Sequence, residues 1–206
     1  MRPSRLLAVS VAAALLSGCI SLFPKETPEQ LYRFGAAASG GAPSPPASGA
    51  RFVVQASSIG FERAATSDRI LTITGNQAAY IKGGRWVIAA PALFDAAVTE
   101  AFEADQGAAR LMARGESLRP DYFLKLDVRT FETQYLQGAG APPTVVVSVH
   151  ASLSRVSDAG LAGERTFTAS VPATQNRAGA IVTAYNQAVV QALGAMTKWV
   201  DAKGAG

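Results

Sequence analysis

Between residues 144 and 154, Val145, Val147, Val149, Ala151 and Leu153 fall on one side of an extended chain. Ser148, His150, Ser152 and Ser154 fall on the other. This is the period-two pattern of a half-buried strand. The same alternation covers residues 121–135, where Tyr122, Leu124, Leu126 and Val128 interleave with Lys125, Asp127 and Arg129. A further strand is centred on Phe167. Loops at 137–143 and 157–160, rich in Gly, Ala, Pro, Ser and Asp, join the three into a predicted meander. Upstream, β-branched and aromatic content predicts strands at 51–56, 69–74 and 77–82, the last two joined by a Gly75-Asn76 turn. Gly83-Gly84 is expected to break the chain before a strand at 85–88. Short strands are expected at 31–34 and 108–112.

Two stretches change to helical spacing. Pro91 opens the first, with Leu93, Phe94, Ala97, Val98, Ala101 and Phe102 on one face, Asp95, Glu100 and Glu103 on the other, and Gly107 at its end. The second spans 177–202 after a capping Asn176. Ile181, Tyr185, Ala188, Ala192, Met196 and Trp199 form its stripe, widened by Val182, Val189, Leu193 and Val200. The predicted class is α+β: a mainly antiparallel sheet with two amphipathic helices packed on one face, in a single domain at 51–206. Residues 19–50 are read as a tether that carries the strand at 31–34. Residues 35–50, almost entirely Gly, Ala, Pro and Ser, are read as a loop too poor in large apolar residues to order itself.

The first 18 residues follow another logic. Arg2 and Arg5 precede an uncharged apolar run from Leu6 to Leu16, and Ser17-Gly18 supply small residues at a cleavage position. The run is about half the ~20 residues of a membrane-spanning helix, so it reads as an export signal. Cys19 follows directly and is the only cysteine of the 206 residues. In an oxidising compartment a lone thiol has no intramolecular partner. Leu16-Ser17-Gly18-Cys19 resembles the lipobox of bacterial lipoproteins, which implies acylation of Cys19, cleavage before it and membrane attachment through the lipid. Two or three acyl chains hold a protein on a bilayer where one is marginal. Ile20 stands where an aspartate would signal inner-membrane retention, which points to the outer membrane and its periplasmic face.

Charge and side-chain chemistry narrow the function. The net charge of +4 includes Arg2 and Arg5, so the chain from Cys19 onward carries only +2. No basic cluster with interleaved aromatics suggests nucleic acid. One histidine and one cysteine leave no expected metal or cofactor site. A hydrolase using Ser148 or Ser152 with His150 is conceivable on paper. Gly115-Glu116-Ser117-Leu118-Arg119, however, lacks the second glycine of a nucleophile elbow, and no phosphate-binding loop is present. His150 reads as a solvated strand residue and the chain as a non-enzyme.

A Leu-Tyr-Arg-Phe strand after the cysteine, Thr66-Ser67-Asp68-Arg69-Ile70-Leu71, Tyr80, Arg85-Trp86-Val87 and Pro91 together resemble the auxiliary lipoproteins of ABC-type transport systems, relatives of paraquat-inducible protein C. The resemblance extends over Asp121-Tyr122-Phe123-Leu124 and the helix ending near Trp199. It departs at Ile88-Ala89-Ala90-Pro91, where many relatives carry an acidic residue before the proline. It implies a lipid-anchored periplasmic subunit that works with an ABC permease, its ATPase and a mammalian-cell-entry domain protein, with phospholipid or another apolar molecule as cargo. A homo-oligomer is compatible with the same reading. A structural lipoprotein that assembles or plugs an outer-membrane β-barrel is the alternative. Docking candidates are Phe61, expected to be an exposed aromatic anchor in the irregular polar stretch 57–67, with Arg69, Tyr80, Arg85 and Trp86. Read as residues of a sheet, Arg69 and Arg85 are solvated strand arginines, Tyr80 a cross-strand packing residue and Trp86 a core anchor.

Overall fold

The computed structural model describes residues 29–35, 52–105 and 107–205. The export signal, Cys19 and all but the first residue of the loop expected at 35–50 lie outside these residues. In chain order the elements are β1 (Gln30–Tyr32), β2 (Phe52–Ala56), β3 (Gly60–Phe61), a 3-10 turn (Arg63–Ala65), β4 (Arg69–Thr74), β5 (Gln77–Trp86) and helix α1 (Ala90–Asp105). There follow β6 (Ala109–Leu111), β7 (Tyr122–Gln134), β8 (Thr144–Arg155), β9 (Leu161–Pro172) and helix α2 (Ala178–Gly204).

The nine strands make one mixed sheet. The predicted meander is present: β8 runs antiparallel to β7 from Tyr122↔Arg155 to Gln134↔Thr144, and β9 runs antiparallel to β8. The other edge of β7 is divided among three strands that follow it in the same direction. These are β2 at Val54↔Tyr122, β3 at Gly60↔Asp127 and β4 at Thr72↔Thr133. Backbone bonds continue through the gaps, with Ser57 N–H donating to Leu124 C=O and Glu62 N–H to Val128 C=O, each at 2.9 Å. The stretch expected to be irregular is therefore pinned to β7. Beyond β2 lies β6, and beyond β4 lie β5 and then β1. The long ladders are antiparallel, as expected; the parallel pairings are short.

Leu124, Leu126, Val128 and Phe131 of β7, the alternate residues Val145 to Leu153 of β8, and Phe167, Ala169 and Val171 of β9 are all buried. Both helices cover this face. Ile181, Tyr185, Ala188, Ala192, Met196 and Trp199 of α2 are buried as the stripe predicted, while Phe94 of α1 meets Phe131 edge-on at 6.2 Å. Tyr185 lies fully inside, accepting from Thr133 Oγ1 at 3.2 Å and donating to the Leu71 carbonyl at 3.4 Å. Burial drives its pKa upward, which keeps the phenol protonated and able to donate.

Three local expectations are corrected. Gly83-Gly84 does not interrupt the strand, because β5 continues to Trp86. The pairing instead shifts between Leu71↔Tyr80 and Arg69↔Arg85, a bulge that Gly83 makes possible at φ +75°. A side chain on Gly84 would lie 3.2 Å from the Tyr32 ring and 3.3 Å from Ala178, so that glycine permits β1 and α2 to approach. Asn176 does not cap α2. Its side chain accepts from Tyr135 Oη at 2.8 Å and donates to the Ala139 carbonyl at 2.7 Å, tying the β7–β8 loop to the helix entrance. The first strand is Gln30–Tyr32, with Phe34 buried beyond its end.

The C-terminal ends of the helices meet at Asp105 and Asp201. Asp201 accepts from Ala109 N–H at 2.7 Å and shares a side-chain hydrogen bond with Asp105. Burial first, and the Asp105 carboxyl second, raise its pKa. The folded chain therefore holds this proton more tightly than the unfolded chain does. The associated stability is complete below the ordinary carboxylate range and is lost as pH rises through the elevated value. Asp201→Asn keeps an acceptor for Ala109 and gives Asp105 a permanent donor. It is expected to flatten this limb of the stability profile and to match or exceed the wild type near pH ~7. Thermal melts across the acidic-to-neutral range check this, and an unchanged slope would contradict it.

Candidate functional site

The five residues singled out from the sequence converge on one corner of the fold, where β5 turns into α1, but they divide into two layers. The surface layer holds Arg69, Tyr80 and Arg85. Arg69 and Arg85 are in register across β4 and β5, and both would repel if left unpaired. Each is compensated differently. The Arg69 guanidinium carbon sits 3.8 Å above the centroid of Tyr80, a cation–π contact, while Tyr80 Oη donates to the Ala64 carbonyl at 3.0 Å. Arg85 lies against the Glu29 carboxylate and 3.3 Å from Asp68 Oδ2. The hydrogen bond to Glu29 first, then that to Asp68, holds its pKa above the ordinary arginine value. Because Glu29 immediately precedes β1, the Arg85–Glu29 contact also joins β1 to β5 through their side chains.

The inner layer is aromatic. Trp86 is 2% exposed and meets Phe34 edge-on at 4.9 Å and Tyr185 edge-on at 5.1 Å. Its backbone N–H donates to the Asp68 carbonyl at 2.7 Å, fixing the strand behind the arginine layer. The core-anchor reading of Trp86 and the packing reading of Tyr80 both hold. Phe61 departs from its expected exposure. It is half-buried, with its ring 5.7 Å from Phe94 and 5.2 Å from Phe131. Pairing of β3 with β7 turns Phe61 inward, which its polar neighbours in sequence do not reveal. Sequence reasoning also missed Glu29 and Asp68 as partners of Arg85; Glu29 is remote in the chain, and only the parallel docking of β1 brings it near.

His150 is where the alternation placed it, on the sheet face away from the helices. Its Nδ1 lies 3.1 Å from Thr166 Oγ1 and its Nε2 3.8 Å from Glu164. Ser148 pairs with Thr168 at 2.9 Å, so its hydroxyl is engaged across the β8–β9 ladder rather than with the imidazole. A separate open cleft of about 580 Å³ lies at the far end of β2 and β7, lined by Phe52, Arg119, Pro120, Asp121, Tyr122, Arg155, Val156, Ser157 and Gly204. Two of its charges are already satisfied. Arg155 grips Asp158 at 3.1 to 3.3 Å, which raises the arginine and lowers the aspartate. Asp121 accepts from Val53 N–H at 2.7 Å. Among the described residues, no group of three or more His, Cys, Asp or Glu side chains could hold a metal ion. No described helix is long and apolar enough to cross a membrane.

The family model for the ABC-type transport auxiliary lipoprotein component matches residues 32–196, from β1 through most of α2. The chain belongs to that family. Protein XCC0632 from Xanthomonas campestris is similar at 25% identity, covering 86% of this chain and 94% of its own, with a TM-score of 0.68. An uncharacterised protein shares the fold at 12% identity and a TM-score of 0.64, over 84% of this chain and 99% of its own. The dodecameric PelC of Paraburkholderia phytofirmans matches at 15% identity and a TM-score of 0.43, over 76% and 94% of the two chains. No protein of curated function matches.

The two layers respond differently to truncation. Trp86→Ala is expected to cost about 3–5 kcal/mol and Phe61→Ala, only half-buried, about 2–3 kcal/mol. Denaturant melts measure both. A Phe61→Ala chain of wild-type stability would return that residue to the surface.

Proposed function

We propose that this auxiliary lipoprotein component is held at the periplasmic face of the outer membrane through acylated Cys19. There it serves an ABC permease and ATPase by docking to a mammalian-cell-entry domain protein that carries phospholipid or another apolar molecule. The observation that carries this reading is the family match over 32–196 directly downstream of Leu16-Ser17-Gly18-Cys19. The ion-paired layer of Arg69, Tyr80 and Arg85 is the proposed docking surface, since its side chains are held in fixed positions and remain accessible. Trp86 and Phe61 support that surface from behind. The role is one of docking rather than catalysis, consistent with Ser148 and His150 each being engaged by a threonine of β9.

Affinity capture of the native chain from envelope fractions, followed by mass spectrometry, tests the partnership. Permease, ATPase and mammalian-cell-entry subunits are the expected co-purifying proteins; recovery of an outer-membrane barrel alone would favour the assembly reading instead. Cys19→Ala is expected to abolish acyl labelling and outer-membrane fractionation, and normal fractionation of that variant would refute the anchor. His150→Ala is expected to complement a deletion strain fully. Loss of complementation at normal abundance would reopen the hydrolase reading.

A further inference from the structure

The connection between β5 and α1 is unusual for this surface. Val87, Ile88 and Ala89 are consecutive and all exposed, the first two at 40% and 50%. A strand-to-helix connection is ordinarily polar, and a run of three exposed apolar residues is a departure that folding alone does not require. The run is held in place: Val87 N–H donates to the Tyr32 carbonyl at 2.7 Å and Ala90 N–H to the Ser67 carbonyl at 3.1 Å. The first of these bonds sets it beside β1. There Leu31, 63% exposed, is in register with Arg85, two positions before Val87. Val87 and Ile88 lie in the bend that follows Trp86, the last residue of β5, and the Val87–Tyr32 bond sets this exposed bend next to exposed Leu31. Arg33, two beyond Leu31, is exposed and has no ion-pair partner among the described residues. The nearby acids Glu29 and Asp68 are both taken by Arg85. The patch is thus apolar, with a cation at its rim that has no ion-pair partner among the described residues.

We propose that the patch formed by Leu31, Val87 and Ile88, with Arg33, rests on the phospholipid surface to which Cys19 is anchored. Chain length identifies the occupant. Only eleven positions separate Cys19 from Gln30, the first residue of β1, and a chain of that length reaches at most about 40 Å when fully extended. β1 is the first described strand after Cys19, so the tether keeps it within that reach of the bilayer, and the patch begins at its second residue. Apolar side chains with a flanking arginine suit the boundary between acyl chains and phosphate headgroups. This inference rests on the reading of Cys19 as acylated.

The test uses the full acylated chain in vesicles of phosphatidylethanolamine and phosphatidylglycerol. An environment-sensitive fluorophore is placed on Ile88→Cys or, as a control, on Val190→Cys. Val190 is 57% exposed on α2, the helix that covers the other face. Lipids brominated in their acyl chains are expected to quench the probe at 88 several times more strongly than the probe at 190. Equal quenching in a sample whose mass confirms acylation overturns the inference and leaves the anchor standing. A probe at 88 shielded in a concentration-dependent manner without quenching by lipid overturns it in favour of a second copy. An unacylated mass overturns the anchor and this inference together.

Discussion

Every residue of a central strand has two backbone bonding directions, and β7 must satisfy both because most of it is covered by the helices and its neighbours. On one side β8 does this alone, in a single long ladder. On the other side three short strands share the task, each parallel to β7 and each contributing two or three registered residues. A buried edge left open would strand unpaired amides at a cost comparable to lost hydrogen bonds. The segment from Phe52 to Thr74 is therefore constrained along its whole course, including the stretch between strands that carries little apolar sequence. The position of Phe61, the placement of the 3-10 turn and the approach of β4 toward β5 all follow from that constraint.

Phe131 and Tyr185 join this spine to the helices. Phe131 contacts Phe34, Phe61, Trp86, Phe94 and Tyr185, so the segment just after β1, β3, β5, both helices and β7 meet around one ring. Tilted and edge-on geometries dominate, as ring quadrupoles favour. The buried phenol of Tyr185 is satisfied by Thr133 and the Leu71 carbonyl, which locks α2 to β7 and β4 by direction as well as by area. The arginine layer outside depends on this interior. Arg85 can bridge Glu29 and Asp68 only because Trp86 fixes the strand and Phe34 fixes the end of β1.

The proposed docking surface consists of accessible side chains on a domain tied to Cys19, whereas the rigidity of those side chains comes from the aromatic interior. The same corner carries both: the charged layer over β4 and β5, and beside it the apolar Leu31–Val87–Ile88 patch. Charged docking and lipid contact would thus be oriented by one rigid junction, which couples where the domain sits to which way it faces.

Alternation at 121–135 and 144–154 was sufficient to define β7 and β8, because a strand with one buried face records its register in every second residue. The stripe on α2 was equally legible, as was Trp86 as a core anchor, since both depend on periodicity within a few turns or strands. The anchor motif at Cys19 also belongs to the sequence alone. Tertiary structure decided the rest wherever a contact partner was remote in the chain. The parallel edge of β7 has no local pattern, because parallel pairing joins segments separated by a crossover. Phe61 turned inward for that reason, Asn176 gave up capping for Tyr135, and Gly83-Gly84 became a bulge because β4 continued to pair beyond it. Glu29 became an ion-pair partner only when β1 docked on β5, a juxtaposition that no spacing along the chain encodes.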